Sequence, residues 1–132
     1  MDAKIGHIGI VVKDAQAMVS RLCEVFGLPE PVVKYNPEKN MKFAVVKFGD
    51  LGLEILEDCD NQGMFHAFNE QHGNMVHHIC IVTNSIEQDI AELESKGIQM
   101  TDRKPKVGLR GKRIAFLESS ALNGLMVELS EP

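Results

Sequence analysis

The apolar and polar positions of this chain alternate with a period of two, switch to a helical period, and then repeat the whole programme once. Residues 4–12 are rich in Ile and Val and have the composition of a strand. Strand side chains point to opposite faces in turn, so Ile5, His7, Gly9 and Val11 share one face and Ile8, Ile10 and Val12 the other. From Asp14 the spacing becomes helical, with Met18, Leu22, Val25 and Phe26 three or four apart and Gly27 as a stop. Pro29, Pro31 and Pro37 break the next segment, leaving room for a short strand near residues 32–35 and a loop over 36–40. Residues 41–48 predict a strand, Gly49 and Asp50 a tight turn, and residues 51–57 the hairpin partner.

A polar stretch, residues 58–74, carries Gly63, Gly73 and a short helical pattern at Met64, Phe65 and Phe68, and reads as a connector. The order then recurs: a strand over 75–83, a helix over 85–96 ended by Gly97, and strands near 98–101, 113–117 and 125–130. Ser85 with Gln88 three residues on has the spacing of a capping box. The repeat is visible in the letters themselves. HIGIVVK at 7–13 matches HICIVT at 78–83, and LEILED at 53–58 matches VELSE at 127–131. The histidines are offset by 78 − 7 = 71 positions and the glutamates by 128 − 54 = 74, so two similar units lie in tandem.

Period-two alternation puts four polar side chains in equivalent places. His7, His78, Glu54 (with Gly52 and Leu56) and Glu128 (with Met126 and Ser130) each lie on the less aliphatic face of their strand, and His78 shares its face with Val76, Cys80 and Val82. The fully aliphatic face suits the amphipathic helix, so the His/Glu face should look the other way. Two such sheets facing each other would gather two imidazoles and two carboxylates, a donor set suited to Mg, Mn, Co, Ni, Fe or Zn. Taken alone, a strand-end histidine is more often a surface or satisfied core residue, and a glutamate between apolar neighbours more often a solvated one; the repetition is what raises all four together. His77 points to the opposite face, and His66 and His72 lie in the connector without partner spacing.

Length allows one domain, residues 1–132, in which unit 4–57, connector 58–74 and unit 75–131 share a core. With 14 Lys+Arg against 19 Asp+Glu, the net charge of −5 argues against nucleic-acid binding by the protein as a whole. Cys23, Cys59 and Cys80 form no metal-type spacing and no even set; they read as reduced thiols, with Cys23 and Cys80 as packing residues. No stretch of 18 apolar residues and no basic-then-apolar opening occurs, so the expectation is a soluble, cytoplasmic protein without membrane contact, or a mitochondrial-matrix one if a transit peptide has been removed. Six basic residues, Arg103, Lys104, Lys106, Arg110, Lys112 and Arg113, crowd into a segment with no acid from 103 to 117. Such a patch can hold phosphate through charge-assisted contacts, or can be a solvated loop.

These motifs resemble the vicinal oxygen chelate superfamily over essentially the whole of residues 4–130. NMVHHICIVTNSIEQDIAELESKGI, KVGLRGKRIAFLESS and NGLMVELSE are most similar to the methylmalonyl-CoA epimerase branch. The resemblance implies an α+β fold in which two tandem βαβββ units form a curved, half-barrel-like mixed sheet around a divalent metal held by His7, Glu54, His78 and Glu128. It implies a homodimer acting on a small-molecule thioester, an acyl-CoA or a glutathione adduct. The implied reaction is proton abstraction alpha to the thioester of methylmalonyl-CoA through a metal-stabilised enolate, with Glu128 as base and Lys112 and Arg113 against the substrate. Some epimerases place a further glutamate on the strand after an NPE-type loop; here Met41, Lys42, Phe43 and Ala44 follow that loop, which leaves the second acid/base open among Glu54, Glu118 and a metal-bound water. The same His/Glu/His/Glu set resembles glyoxalase I, a lactoylglutathione lyase, and the fold also hosts non-enzymatic resistance proteins that bind a ligand without turnover.

Overall fold

The structure, a computed structural model, describes residues 1–132. It divides into two compact units, residues 7–77 and residues 1–6 with 78–132, so the break falls at the two motif histidines. Eight strands and three helices make the fold α+β. No helix is long and apolar enough to cross a membrane.

In the unit of residues 7–77, β1 (Lys4–Val11, which enters it at His7) runs parallel to β4 (Leu51–Asp58). β4 is antiparallel to β3 (Met41–Phe48), and β3 to the short edge strand β2 (Lys34–Asn36). The β3–β4 hairpin closes through Gly49 and Asp50, with Gly49 at φ 66°, where glycine carries no Cβ penalty. Helix α1 (Ala15–Phe26) starts where the Asp14 carboxylate accepts from the Ala17 N–H at 3.0 Å and ends at Gly27 in the left-handed region. Ala15, Val19 and Cys23 line its buried stripe and pack with Val12, Ala44, Val46 and Ile55 into one core. These strand residues have the parity assigned to the helix side, opposite His7 and Glu54. The connector is more than a linker, since residues 64–72 form helix α2 (Met64–His72) within this unit.

The other unit repeats the plan: β5 (Met75–Val82) is parallel to β8 (Val127–Ser130), which is antiparallel to β7 (Arg113–Phe116), itself paired with β6 (Lys106–Val107). Helix α3 (Ile86–Ser95) lays Ile86 and Ile90 on Met100, Ala115, Leu117, Val127 and Leu129. The first residues of β1 belong here: a Cβ on Gly6 would stand 2.3 Å from Val82 Cγ2, a close approach only glycine permits.

Four local expectations shift. The first edge strand lies at 34–36 instead of 32–35, because its pairing grows from the Asn36–Met41 turn, where the Asn36 side chain accepts from the Lys39 N–H at 3.0 Å. Residues 98–101 make a single bridge, Met100 to Leu117. The ladder stops because the Thr101 and Asp102 N–H groups share the Phe116 carbonyl while the Asp102 carboxylate takes the Phe116 N–H at 2.8 Å, replacing a strand partner with a side chain. β8 begins at Val127, two residues after Leu125, because Asn123 (φ 57°) and Gly124 (φ 99°) hold a turn in which the Leu125 N–H donates to the Leu122 carbonyl. Ser85 has the backbone of an N-cap but no side-chain capping bond, so the capping box is not made; the helix start rests on Ile86 burial and on Glu87 and Asp89 in the first turn.

Candidate functional site

β1 and β4 place the first pair of predicted site residues. Their parallel register sets Gly9 opposite Glu54 and His7 opposite Gly52. A Cβ at Gly52 would fall 2.6 Å from Val45 Cγ1, so the glycine leaves space that the neighbouring strand's valine already fills. His7 and Glu54 are buried, and His7 Nε2 lies 3.4 Å from Glu54 Oε1.

β5 and β8 place the second pair in the same manner. His78 and Glu128 are buried, with His78 Nε2 3.9 Å from Glu128 Oε2. The residue opposite Glu128 on β5 is Cys80, fully buried, its sulfur within 4.8 Å of the Glu128 carboxylate. The residue opposite Glu128 on β7 is Phe116, whose ring meets the His78 imidazole edge-on at 5.4 Å and 86°. Lys106 Nζ caps the Phe116 ring at 5.7 Å and sits 3.1 Å from Asp102, the same carboxylate that takes the Phe116 N–H.

Each pair is therefore one imidazole nitrogen beside one carboxylate oxygen, out of water, on strand backbone that fixes the direction of both. Two donors bound about 2.1 Å from one ion stand about 3.0 Å apart at an octahedral angle and about 3.4 Å apart at a tetrahedral one. The His7–Glu54 separation meets this, and the His78–Glu128 separation misses it by about half an ångström, within a side-chain rotation. The donor types and spacings fit a divalent cation. Cys80 and Phe116 were not picked out from the sequence as site residues. The parity that put His78 toward the site put Cys80 there too, but its apolar neighbours argued for packing.

The remaining histidines are accounted for elsewhere. His77 packs edge-on against Phe65 at 4.7 Å and Phe68 at 4.8 Å, tying α2 to the strand, and burial pushes its imidazole down to about 4. His66 lies 3.4 Å from Glu70 one helical turn on, and the His72 ring lies against Phe68. Cys59 is exposed, and partial burial together with the Glu57 carboxylate, to which its thiol donates at 3.7 Å, pushes the thiol upward.

The basic segment looks different once folded. Arg113 is held by Glu131, at 2.6 Å, and by Glu87, pairs that hold both carboxyls below their usual range. Arg103 meets Glu94 at 3.4 Å, and Lys106 meets Asp102. Acids outside the run, from Asp102 just before it to Glu131 well after it, thus answer the charge of a stretch that contains none. Lys104 and Lys112 make no ion pair and are exposed.

The sequence profile of the Glyoxalase/Bleomycin resistance protein/Dioxygenase superfamily matches residues 6–116. The chain belongs to this superfamily. Its relatives extend along nearly the whole chain. It is 32% identical over 132 residues to the uncharacterized protein YqjC of Bacillus subtilis, covering 98% of this chain and 92% of that one. It is 27% identical over 131 residues to the mitochondrial methylmalonyl-CoA epimerase of Dictyostelium discoideum, covering 97% and 78%. The methylmalonyl-CoA epimerase of Streptomyces coelicolor, solved with 2-nitronate-propionyl-CoA, superposes with a TM-score of 0.88 at 28% identity over 97% of this chain and 93% of its own. The relatives and neighbours of known activity support an isomerase of the epimerase type.

Proposed function

We propose that this protein is a metal-dependent epimerase that moves the proton on the carbon between the thioester and the carboxylate of methylmalonyl-CoA or a closely related acyl-CoA. The observation that carries this reading is the repeated, buried imidazole–carboxylate pair on matching strands, in a chain similar along its length to epimerases. His7, Glu54, His78 and Glu128 would hold one divalent ion. Bound there, the ion would offset the negative charge that develops on the thioester oxygen as the alpha proton leaves.

The residues of the chain do the rest. The burial of both carboxylates keeps water from competing for the proton and keeps local electrostatics strong. Glu128 takes the alpha proton on one face; it adjoins Cys80 and Phe116, which limit where its carboxylate can swing. Epimerisation requires return of a proton on the other face, and Glu54, the matching carboxylate of the repeat, is the residue we assign to it. Lys112, an exposed ammonium without an ion pair, and Arg113, already braced by two acids, lie on the segment we assign to the phosphates of the CoA moiety. We also expect the active species to be a homodimer.

Deuterium incorporation at C2 of methylmalonyl-CoA in heavy water tests the reading, with metal-stripped protein re-supplied with Co, Mn, Ni or Zn. Metal-dependent exchange faster than the protein-free control supports it. Absence of exchange with every metal overturns it, and a glutathione hemithioacetal then becomes the substrate to assay.

A further inference from the structure

The repeat that duplicates the histidines and glutamates leaves one position unlike its counterpart. Two residues after His7 stands Gly9, and two residues after His78 stands Cys80; each faces the glutamate of its own unit across a parallel strand pair. The backbone geometry is the same, but one side offers no side chain and the other a thiol. Cys80 is 0% exposed, and its sulfur lies within 4.8 Å of the Glu128 carboxylate that we assign to the ion. A sulfur at about 2.3 Å and an oxygen at about 2.1 Å from one ion stand about 3.1 Å apart at an octahedral angle and about 3.6 Å apart at a tetrahedral one, so an adjustment of at most about 1.2–1.7 Å brings both to the same centre. Packing alone does not call for sulfur there: the core of this unit is filled from the opposite face of β5, by Ile81 with Ile86, Ile90, Val127 and Leu129.

We propose that Cys80 is a soft donor to the ion held at Glu128, and that it sets the metal preference of the site toward thiophilic divalent cations such as cadmium and zinc over hard ones such as magnesium and manganese. This rests on the metal-site reading above. Thiolate coordination forms one metal–sulfur bond and breaks the S–H bond, the proton passing to solvent. The two units then contribute unequally: the unit of residues 7–77 supplies only nitrogen and oxygen, and its partner unit adds sulfur.

The test uses full-length protein with Cys59→Ser, which removes the exposed thiol, stripped of metal and titrated with Cd2+ and with Mn2+ while binding is followed calorimetrically. Cadmium should raise a near-ultraviolet sulfur-to-metal charge-transfer band, and the band should vanish in added Cys80→Ser and in added His78→Ala. Cys80→Ser should weaken Cd2+ by about tenfold or more and Mn2+ by less than about twofold. The 113Cd chemical shift of the Cys59→Ser protein reads sulfur coordination directly, so the inference stays testable if the Cys80 variant fails to fold. Bound cadmium without a sulfur signature, a band that survives Cys80→Ser, or equal losses for both metals overturns the role of Cys80 and leaves the His/Glu site standing. Failure to bind any divalent ion overturns the metal-site reading itself, and this inference with it.

Discussion

The two units solve the same placement problem with the same backbone and different surroundings. In each, a histidine on the first strand and a glutamate on the last point away from a helix-packed aliphatic face, and the position before and after the glutamate belongs to that core, as with Ile55 and Leu129. Around the glutamates the units part company. Glu54 is flanked by Gly9 and Val45, Glu128 by Cys80 and Phe116. Parity has been copied while the chemistry beside it has not. The difference shows which features the repeat must keep for placement and which it is free to specialise.

The largest effect expected from breaking this comparison is on chemistry. His7→Ala and His78→Ala should each lower metal-dependent C2 exchange by at least about 100-fold and reduce bound metal, measured by exchange rate and elemental analysis. If one variant keeps both, the two histidines are not equivalent and the shared-ion reading fails. Next come the matched core positions: Ile55→Ala and Leu129→Ala should each cost about 2–5 kcal/mol in denaturant unfolding, since both side chains are buried and their sites cannot fully collapse. A much smaller loss at one of them would show that the helix-packed faces are not matched after all. Phe116→Val, which gives Glu128 the flank that Glu54 already has, should cost about 1–3 kcal/mol and weaken metal binding through a less well-held His78, read by calorimetry. Unchanged metal affinity would mean that the ring only fills space.

The smallest expected effect concerns α2, which only the unit of residues 7–77 carries. His77 is lowered by burial from 6.5 to about 4. Its unfolded form takes up a proton below about pH 6.5 while the folded form resists until about pH 4, so its contribution to stability is complete above pH 6.5 and is lost as the pH falls toward 4. The ring is partly open to water, which scales the effect to about 1–2 kcal/mol. His77→Phe should keep the contacts to Phe65 and Phe68 and flatten that part of the stability profile. An unchanged profile would place the acid sensitivity elsewhere.

Much of this arrangement was legible because period-two alternation is local and the repeat could be checked against itself. Strand β3 and the Gly49–Asp50 turn came out as read, and the parity of His7, Glu54, His78 and Glu128 followed from it. What escaped depended on residues far apart in sequence. No local pattern shows that Asp102 will take the Phe116 N–H and end a ladder, or that Glu87 and Glu131 will converge on Arg113. Cys80 escaped for another reason: its neighbours described a core strand, and a thiol is at home in one.

Helix α2 lacks a capping side chain of its own, because Gly63 precedes it. The Asp58 carboxylate serves instead, accepting from the His66 N–H at 3.1 Å and the Asp60 N–H at 3.1 Å. A Cβ on Gly63 would lie 2.1 Å from that carboxylate. Positions 58 and 63 are thus bound together in heredity: a side chain at 63 is tolerable only if 58 shortens or turns away, and then 63 must itself become the cap. Among descendants of this sequence the pair should change together, with glycine at 63 wherever aspartate holds 58.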